Sequence, residues 1–251
     1  MRRRKVFTNR DLIFNGYNFS RILYVEEVRQ PFASPIQNTL IRTGSTGARQ
    51  VARLTDSKVI EVDIRLIEKD RNKVEKVKEE IKKRMVTDKP KKLILRGVKH
   101  FNMAILDGMM DFSKFHYTGF TTLTFLNPRG ISYGDYKKMT VKDGDQVFYE
   151  GTLPVKPVIK AKSNSGANQV IFNLEESDSV LRALTDGGAR EVVFGEYSEE
   201  LNHLEKLTID GNLAMTKWPY TSEFFTLKHG INTIRLNGTN QAELMFWECY
   251  L

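Results

Sequence analysis

The chain has 251 residues, 40% of them apolar and 28% charged, a usage that permits a sizeable buried core and excludes wholesale disorder. One core is inefficient at this length, so two domains are expected. Lys and Arg number 39 against 31 Asp and Glu, a formal charge of +8, and the excess raises nucleic acid as a partner.

Taken in chain order, Met1-Arg-Arg-Arg-Lys5 has the charge of a signal-peptide n-region, but Val6-Phe7 runs at once into Thr8, Asn9, Arg10 and Asp11, which leaves no apolar h-region. No apolar run approaches the ~18 residues of a membrane span. Ser20 to Arg29, with Ile22, Tyr24 and Val28, reads as a strand. A long connection follows from Gln30 to Arg49, well beyond the usual ~4–6 residues. It carries Phe32, Ile36, Leu40 and Ile41, side chains whose burial is worth roughly 1.5–3 kcal/mol each. The excursion therefore either folds back on its own domain, an edge hairpin included, or docks on a neighbour; the residues alone leave both open.

Lys58 to Glu68 alternates strictly, with Ile60, Val62, Ile64 and Leu66 on one face and Glu61, Asp63 and Arg65 on the other, the period of a half-buried strand. From Asp70, placed as N-cap, Val74, Val77, Ile81 and Met85 recur every three or four residues, and Lys82, Lys83 and Arg84 sit where the helix dipole favours cations. Lys92 to Arg96, Phe101 to Leu106 and Thr118 to Leu126 read as further strands. One amphipathic helix among strands must lay its stripe on a sheet, so the first domain is β-rich with a covering helix. The basic stretch from Lys69 to Arg84 is interleaved with Glu75, Glu79 and Glu80, which marks a solvated helix face rather than a phosphate-binding stripe.

Asn127-Pro-Arg-Gly130 through Lys138 combines turn residues with charge, placing the boundary near Gly134 and the domains at 1–134 and 135–251. After it come short runs at Gln146 to Tyr149, Val155 to Ala161, Val170 to Leu174, Glu191 to Phe194, Leu204 to Ile209, Asn232 to Leu236 and Ala242 to Glu248, punctuated by glycines. That rhythm predicts a sandwich or jelly roll.

Chemistry is sparse. His100, His116, His203 and His229 lie far apart, and Cys249 is the single cysteine, so neither a metal site nor an intrachain disulfide is expected, and no cofactor is implied. Gly44-Ser-Thr-Gly47-Ala-Arg49 lacks the Gly-x4-Gly-Lys spacing of a phosphate loop and reads as a turn. Glu175-Glu176 and Glu199-Glu200 sit beside Ser and Asp in loops, a surface setting rather than a catalytic pair. The chain is not expected to be an enzyme. Among the aromatics, Phe225, Leu227 and Trp247 are expected in the core, while Trp218 and Tyr220, in a loop, are candidates for sugar or partner contact.

In order and spacing these elements resemble the distal tail family (Dit) of siphophages along nearly the whole chain. The resemblance rests on Phe14-Asn-Gly16 before Ser20-x-Ile-Leu-x-Val25, Gly119-x-Thr-Thr-Leu-Thr-Phe125 running into Asn127-Pro-x-Gly130-x-x-Tyr133-Gly134, and Gly151-Thr-x-Pro154-x-x-Pro157. It continues in Leu207-x-Ile209-Asp-Gly211 and Ser222-Glu-Phe-Phe225-x-Leu227-x-x-Gly230-x-Asn232-x-Ile234.

The resemblance implies a mainly β chain: an α+β N-terminal β-sandwich with one helix, and a C-terminal sandwich like galectins or carbohydrate-binding modules. It implies a virion structural protein at the distal end of the tail, assembled in the host cytoplasm. The implied assembly is a homo-hexamer, a ring or two stacked rings, joining the tail tube protein to the tail-associated fibre or lysin protein. The tape measure and receptor-binding proteins complete the implied partners, with no membrane and no direct nucleic-acid recognition among them. A belt from the first domain would clasp the next subunit, which makes Phe32, Ile36, Leu40 and Ile41 the implied interface. No inserted sugar-binding module fits a chain of this length, so the second domain is implied to be scaffold or docking platform. A carbohydrate-binding adhesion module acting through Trp218 and Tyr220 is the competing reading.

Overall fold

The computed structural model describes residues 12–42, 48–68, 70–95, 97–108 and 120–251. Of the positions singled out above, Met1 to Asp11, the Gly44 to Gly47 turn, Lys69, Arg96, His116, Thr118 and Gly119 lie outside the described residues. The chain divides into two compact units between Ser132 and Tyr133. It is mainly β, and all named strand pairs are antiparallel.

The first unit contains β1 (Leu12–Phe14), β2 (Tyr17–Asn18), β3 (Leu23–Arg29), β4 (Ile36–Arg42), β5 (Ala48–Thr55), β6 (Lys58–Leu66), α1 (Arg71–Met85), β7 (Lys91–Leu95), β8 (Phe101–Asp107) and β9 (Phe120–Asn127). The strand β8 changes partner along its length: Asn102 to Ala104 pair with β7, and Ile105 to Asp107 pair with β9. It thereby joins a β2-β1-β7 layer to a β3-β6-β9 layer. Leu12, Phe14, Leu93 and Leu95 of one layer share a core with Ile60, Val62, Ile64, Leu123 and Phe125 of the other. The Phe14 and Phe125 ring centroids lie 5.3 Å apart. Into that core α1 inserts Val74, Ile81 and Met85, the stripe expected from the sequence. The Asp70 carbonyl accepts from the backbone N–H of Lys73 and Val74, and so opens the helix.

Three expectations change. Ser20 to Ile22 do not extend β3: Phe19–Arg21 form a 3-10 turn, because the Asn18 carboxamide accepts from both the Ser20 amide at 3.0 Å and its hydroxyl at 2.6 Å. Such local side-chain bonding competes with the ladder. Within the long connection lie two strands, β4 and β5, paired only with each other as a two-stranded ribbon. Beyond the Asn127-Pro-Arg-Gly130 turn, the segment read as linker is a strand, β10 (Ser132–Val141). It is charged and half-exposed, which hides its period, and Lys137 and Lys138 make ion pairs with Glu248 and Glu243.

The second unit continues from β10 with β11 (Gln146–Tyr149), β12 (Val158–Lys162), β13 (Gln169–Leu174), β14 (Val180–Leu184), β15 (Glu191–Tyr197), β16 (His203–Ile209), β17 (Asn212–Leu213), β18 (Gly230–Asn237) and β19 (Ala242–Tyr250). They form two sheets, β17-β16-β15-β12-β19-β10 and β11-β18-β13-β14. Facing rings close the sandwich: Phe172 meets Phe194 at 5.6 Å and Tyr149 meets Phe246 at 5.7 Å, both edge-on. The buried Tyr149 hydroxyl donates to the Leu153 carbonyl and accepts from the Cys249 amide, which satisfies a group that burial would otherwise penalise.

Candidate functional site

The four apolar residues singled out on the excursion are all exposed. Phe32 is fully exposed, and Ile36, Leu40 and Ile41 are 38%, 61% and 53% exposed. Ile36 to Thr39 pair with Thr55 to Ala52, and a register shift between Thr39 and Leu40 leaves Leu40 opposite Gln50 and Ile41 opposite Arg49. Neighbours along a strand face opposite ways. Leu40 and Ile41 thus stand on the two sides of a ribbon with which no third strand among the described residues pairs.

The root of the ribbon is fixed. The Asp56 amide donates to the Pro35 carbonyl at 2.9 Å, and the buried Ser34 hydroxyl donates to the Gly130 carbonyl. Gly130 is itself held by Asn127, whose carbonyl accepts from its amide. The fully buried Asn127 donates to Asn102 and to the Ile131 carbonyl, and Ser132 also donates to Asn102.

Trp218 and Tyr220 differ in setting. The Trp218 indole N–H donates to the Ser222 carbonyl at 3.0 Å, and its ring packs edge-on against Phe224 and Phe194. Tyr220 is 99% exposed. Phe225 and Leu227 are buried as expected, although only Leu227, bridged to Val155, is part of a ladder.

The expectation that Trp247 is core is corrected. Along β19 the side chains of Leu244 and Phe246 are buried inside the sandwich, while Trp247 alternates to the outer face and is only partly covered. There its ring lies 5.0 Å from that of Tyr136 on β10. The two rings border an open cleft of about 680 Å³ that also touches Val158, Val193, Glu196 and Lys206.

No group of three or more His, Cys, Asp or Glu side chains among the described residues is placed to hold a metal ion. Glu175 pairs with Arg235 at the surface, and Glu176 accepts from the Thr233 amide. His203 sits in a different setting from a ligand: its Nε2 is 3.2 Å from the Pro157 carbonyl, its ring is edge-on to Phe224, and burial depresses its pKa. No described helix is long and apolar enough to cross a membrane.

No protein-family model matches the chain, and no curated protein matches it. Solved structures do. The distal tail protein Dit of phage SPP1, described as a paradigm of the hub adsorption apparatus in phages infecting Gram-positive bacteria, superposes with a TM-score of 0.78 at 14% identity, over 96% of this chain and 99% of that one. The chain has the fold of SPP1 Dit. A chain of the phage P2 baseplate in its activated conformation aligns at a TM-score of 0.48 and 5% identity, over 92% of each chain. The likeness to SPP1 Dit spans both units, so the resemblance read from spacing extends to three-dimensional architecture.

The cleft on the second unit escaped the sequence reading. Tyr136 fell in the segment taken as linker, and Trp247 shares its alternating run with core residues. The one available signal was phase: Trp247 is out of step with Leu244 and Phe246.

Proposed function

We propose that the protein is a non-enzymatic structural subunit of a phage tail tip, which assembles as a hexameric ring joining the tail tube to the fibre or lysin hub below. The observation that carries this reading is the likeness to SPP1 Dit over nearly the whole of both chains. The ribbon supplies the physical mechanism. A lone two-stranded hairpin is marginal in water, and β4-β5 leaves Phe32, Leu40 and Ile41 exposed. An adjacent copy that covers them removes that cost, and identical head-to-tail contacts close into a ring when the rotation per subunit divides a full turn.

In this reading the first unit forms the ring and the second serves as a docking platform. Phe32, Ile36, Leu40 and Ile41 are the intersubunit contacts, and the finished protein resides at the distal end of the tail. Removing residues 32–48 tests it. The deletion removes β4 and the start of β5 but no residue of the core named above, so the truncated protein should lose only the ribbon's share of its far-UV strand signal, still unfold cooperatively, and run as a monomer in light scattering, where the intact chain gives a ring. A ring of unchanged multiplicity after truncation would refute the interface.

A further inference from the structure

We propose that His203 is a latch through which acidification releases the tip of the β15-β16 hairpin, residues Glu196 to Leu204, from the body of the second unit. The device lies within that unit and does not rest on the ring.

The hairpin has two parts. Up to Phe194 it is an ordinary ladder, Val192 to Phe194 against Ile209 to Leu207. At Gly195, which takes φ +78°, the register slips, so that Glu196 pairs with Leu204 and Tyr197 with His203. Glu196, which strict alternation would send inward after Phe194, is thereby turned out, and its carboxylate pairs with Lys206. A Cβ at Gly195 would collide with the His203 ring, so the latch packs directly on the hinge. The turn that closes the tip is strained: Leu201 takes φ +59°, a left-handed conformation disfavoured for leucine. It is held there by bonds from the Leu201 amide to the Ser198 carbonyl and from the Ser198 amide to the Asn202 carbonyl.

Three contacts pin this half of the hairpin to the segment before β12. The Tyr197 hydroxyl donates to the Lys156 carbonyl at 3.0 Å, the Lys156 ammonium pairs with Glu205, and His203 Nε2 lies 3.2 Å from the Pro157 carbonyl. A carbonyl can only accept, so Nε2 carries the proton and Nδ1 is bare. That Nδ1 is buried with no hydrogen-bond partner, so the ring fits its place only when neutral. A second proton would put charge on Nδ1 where nothing accepts it, on a ring edge-on to Phe224 and Tyr197. The charged groups facing the ring are Lys156 and Glu205, which neutralise one another, and the remaining titratable neighbour is the Tyr197 hydroxyl, whose pKa burial raises. Desolvation accordingly lowers the pKa of His203. An open tip hydrates the ring and returns it to its ordinary 6.5, so the closed tip is favoured above that pH and loses ground below it, until the closed form protonates too. Release would move Glu196, Tyr197, Ser198 and Leu201, which line the cleft bordered by Trp247 and Tyr136.

The test is hydrogen exchange of the full chain, read by mass spectrometry at about pH 7.5 and about pH 5 with labelling times matched to the intrinsic rates. Amides of residues 196–204 should open more readily at the lower pH, by up to about thirtyfold, the limit for a histidine that titrates normally when open and takes no proton when closed. Val192 to Phe194 and Leu207 to Ile209 should keep their protection. His203→Gln retains a donor for the Pro157 carbonyl but cannot titrate, and should abolish the pH response; His229→Gln, at an exposed histidine, should leave it in place. A tip equally protected at both pH values overturns the proposal, as does a response that survives His203→Gln or a loss of protection spread over the whole unit. Should His203→Gln not fold, NMR titration of the wild type decides: the His203 ring and the tip amides must shift with one midpoint below 6.5, and separate midpoints overturn the latch.

Discussion

Gly130 ties the ribbon to the body of the first unit through geometry that a side chain would destroy. Its φ of +65° is a left-handed conformation, and a Cβ there would run into the Asp56 carbonyl and the Ser34 hydroxyl. Gly130→Ala should therefore lower stability by about 1–3 kcal/mol, read from the urea midpoint, and should also impair ring formation at concentrations where the protein remains folded. Equal midpoints for the two proteins would show that the root is not held as described. His203 makes a second residue-scale prediction. Burial among Phe224 and Tyr197 lowers its pKa from the ordinary 6.5, and its Nδ1 is buried without a hydrogen-bond partner. The unfolded chain then takes up a proton at His203 before the folded chain does, so the fold is favoured above that pH and loses stability as pH falls through it, until the folded histidine protonates too. Melting temperatures measured from about pH 7 to pH 5 should fall more steeply for the wild type than for His203→Gln. Equal slopes would mean that His203 does not set this dependence.

Elements whose side chains alternate between water and core were legible in the sequence, and those without such contrast were not. In β6, Ile60, Val62, Ile64 and Leu66 are buried while Arg65 points to solvent, so the period of two is visible without any structure. The helix is equally plain, since Val74, Ile81 and Met85 are buried and Lys82 to Arg84 are exposed. Ile81→Ala should cost about 2–5 kcal/mol, whereas Lys82→Ala should be close to neutral; chemical denaturation separates them, and a small effect at Ile81 would remove α1 from the core. In contrast, β10 alternates weakly, because Lys137 and Lys138 reach carboxylates on β19 rather than an apolar interior. In β4 every described side chain from Ile36 to Ile41 is exposed within one chain, so that strand carries no core-facing stripe to detect. The cleft was hidden for another reason: its rings come from β10 and β19, distant in sequence and adjacent only through sheet order, and the outward turn of Glu196 depends on a bulge that no residue pattern announces.

At the scale of the whole molecule, each of the two compact units has buried apolar residues of its own. The second is closed by Tyr149, Phe172, Phe194, Phe225 and Phe246, all essentially without solvent contact, and Tyr149 of the smaller sheet is tied to the Cys249 amide of the last strand, in the larger one. The proposed ring contacts lie in the other unit, on the ribbon. Residues 133–251 produced alone should consequently unfold in a single cooperative transition and remain monomeric in light scattering, while the intact chain forms rings. The lone thiol supplies an independent readout of order. Cys249 is buried and unpaired in any disulfide, so in the native fragment it should resist thiol reagents and react once denaturant is added. A fragment that reacts at once has not folded, and its core then depends on the first unit. A well-folded fragment that nonetheless closes a six-membered ring would move the intersubunit contact from the ribbon to the sandwich, because a surface capable of ring closure would then exist without Phe32, Ile36, Leu40 or Ile41.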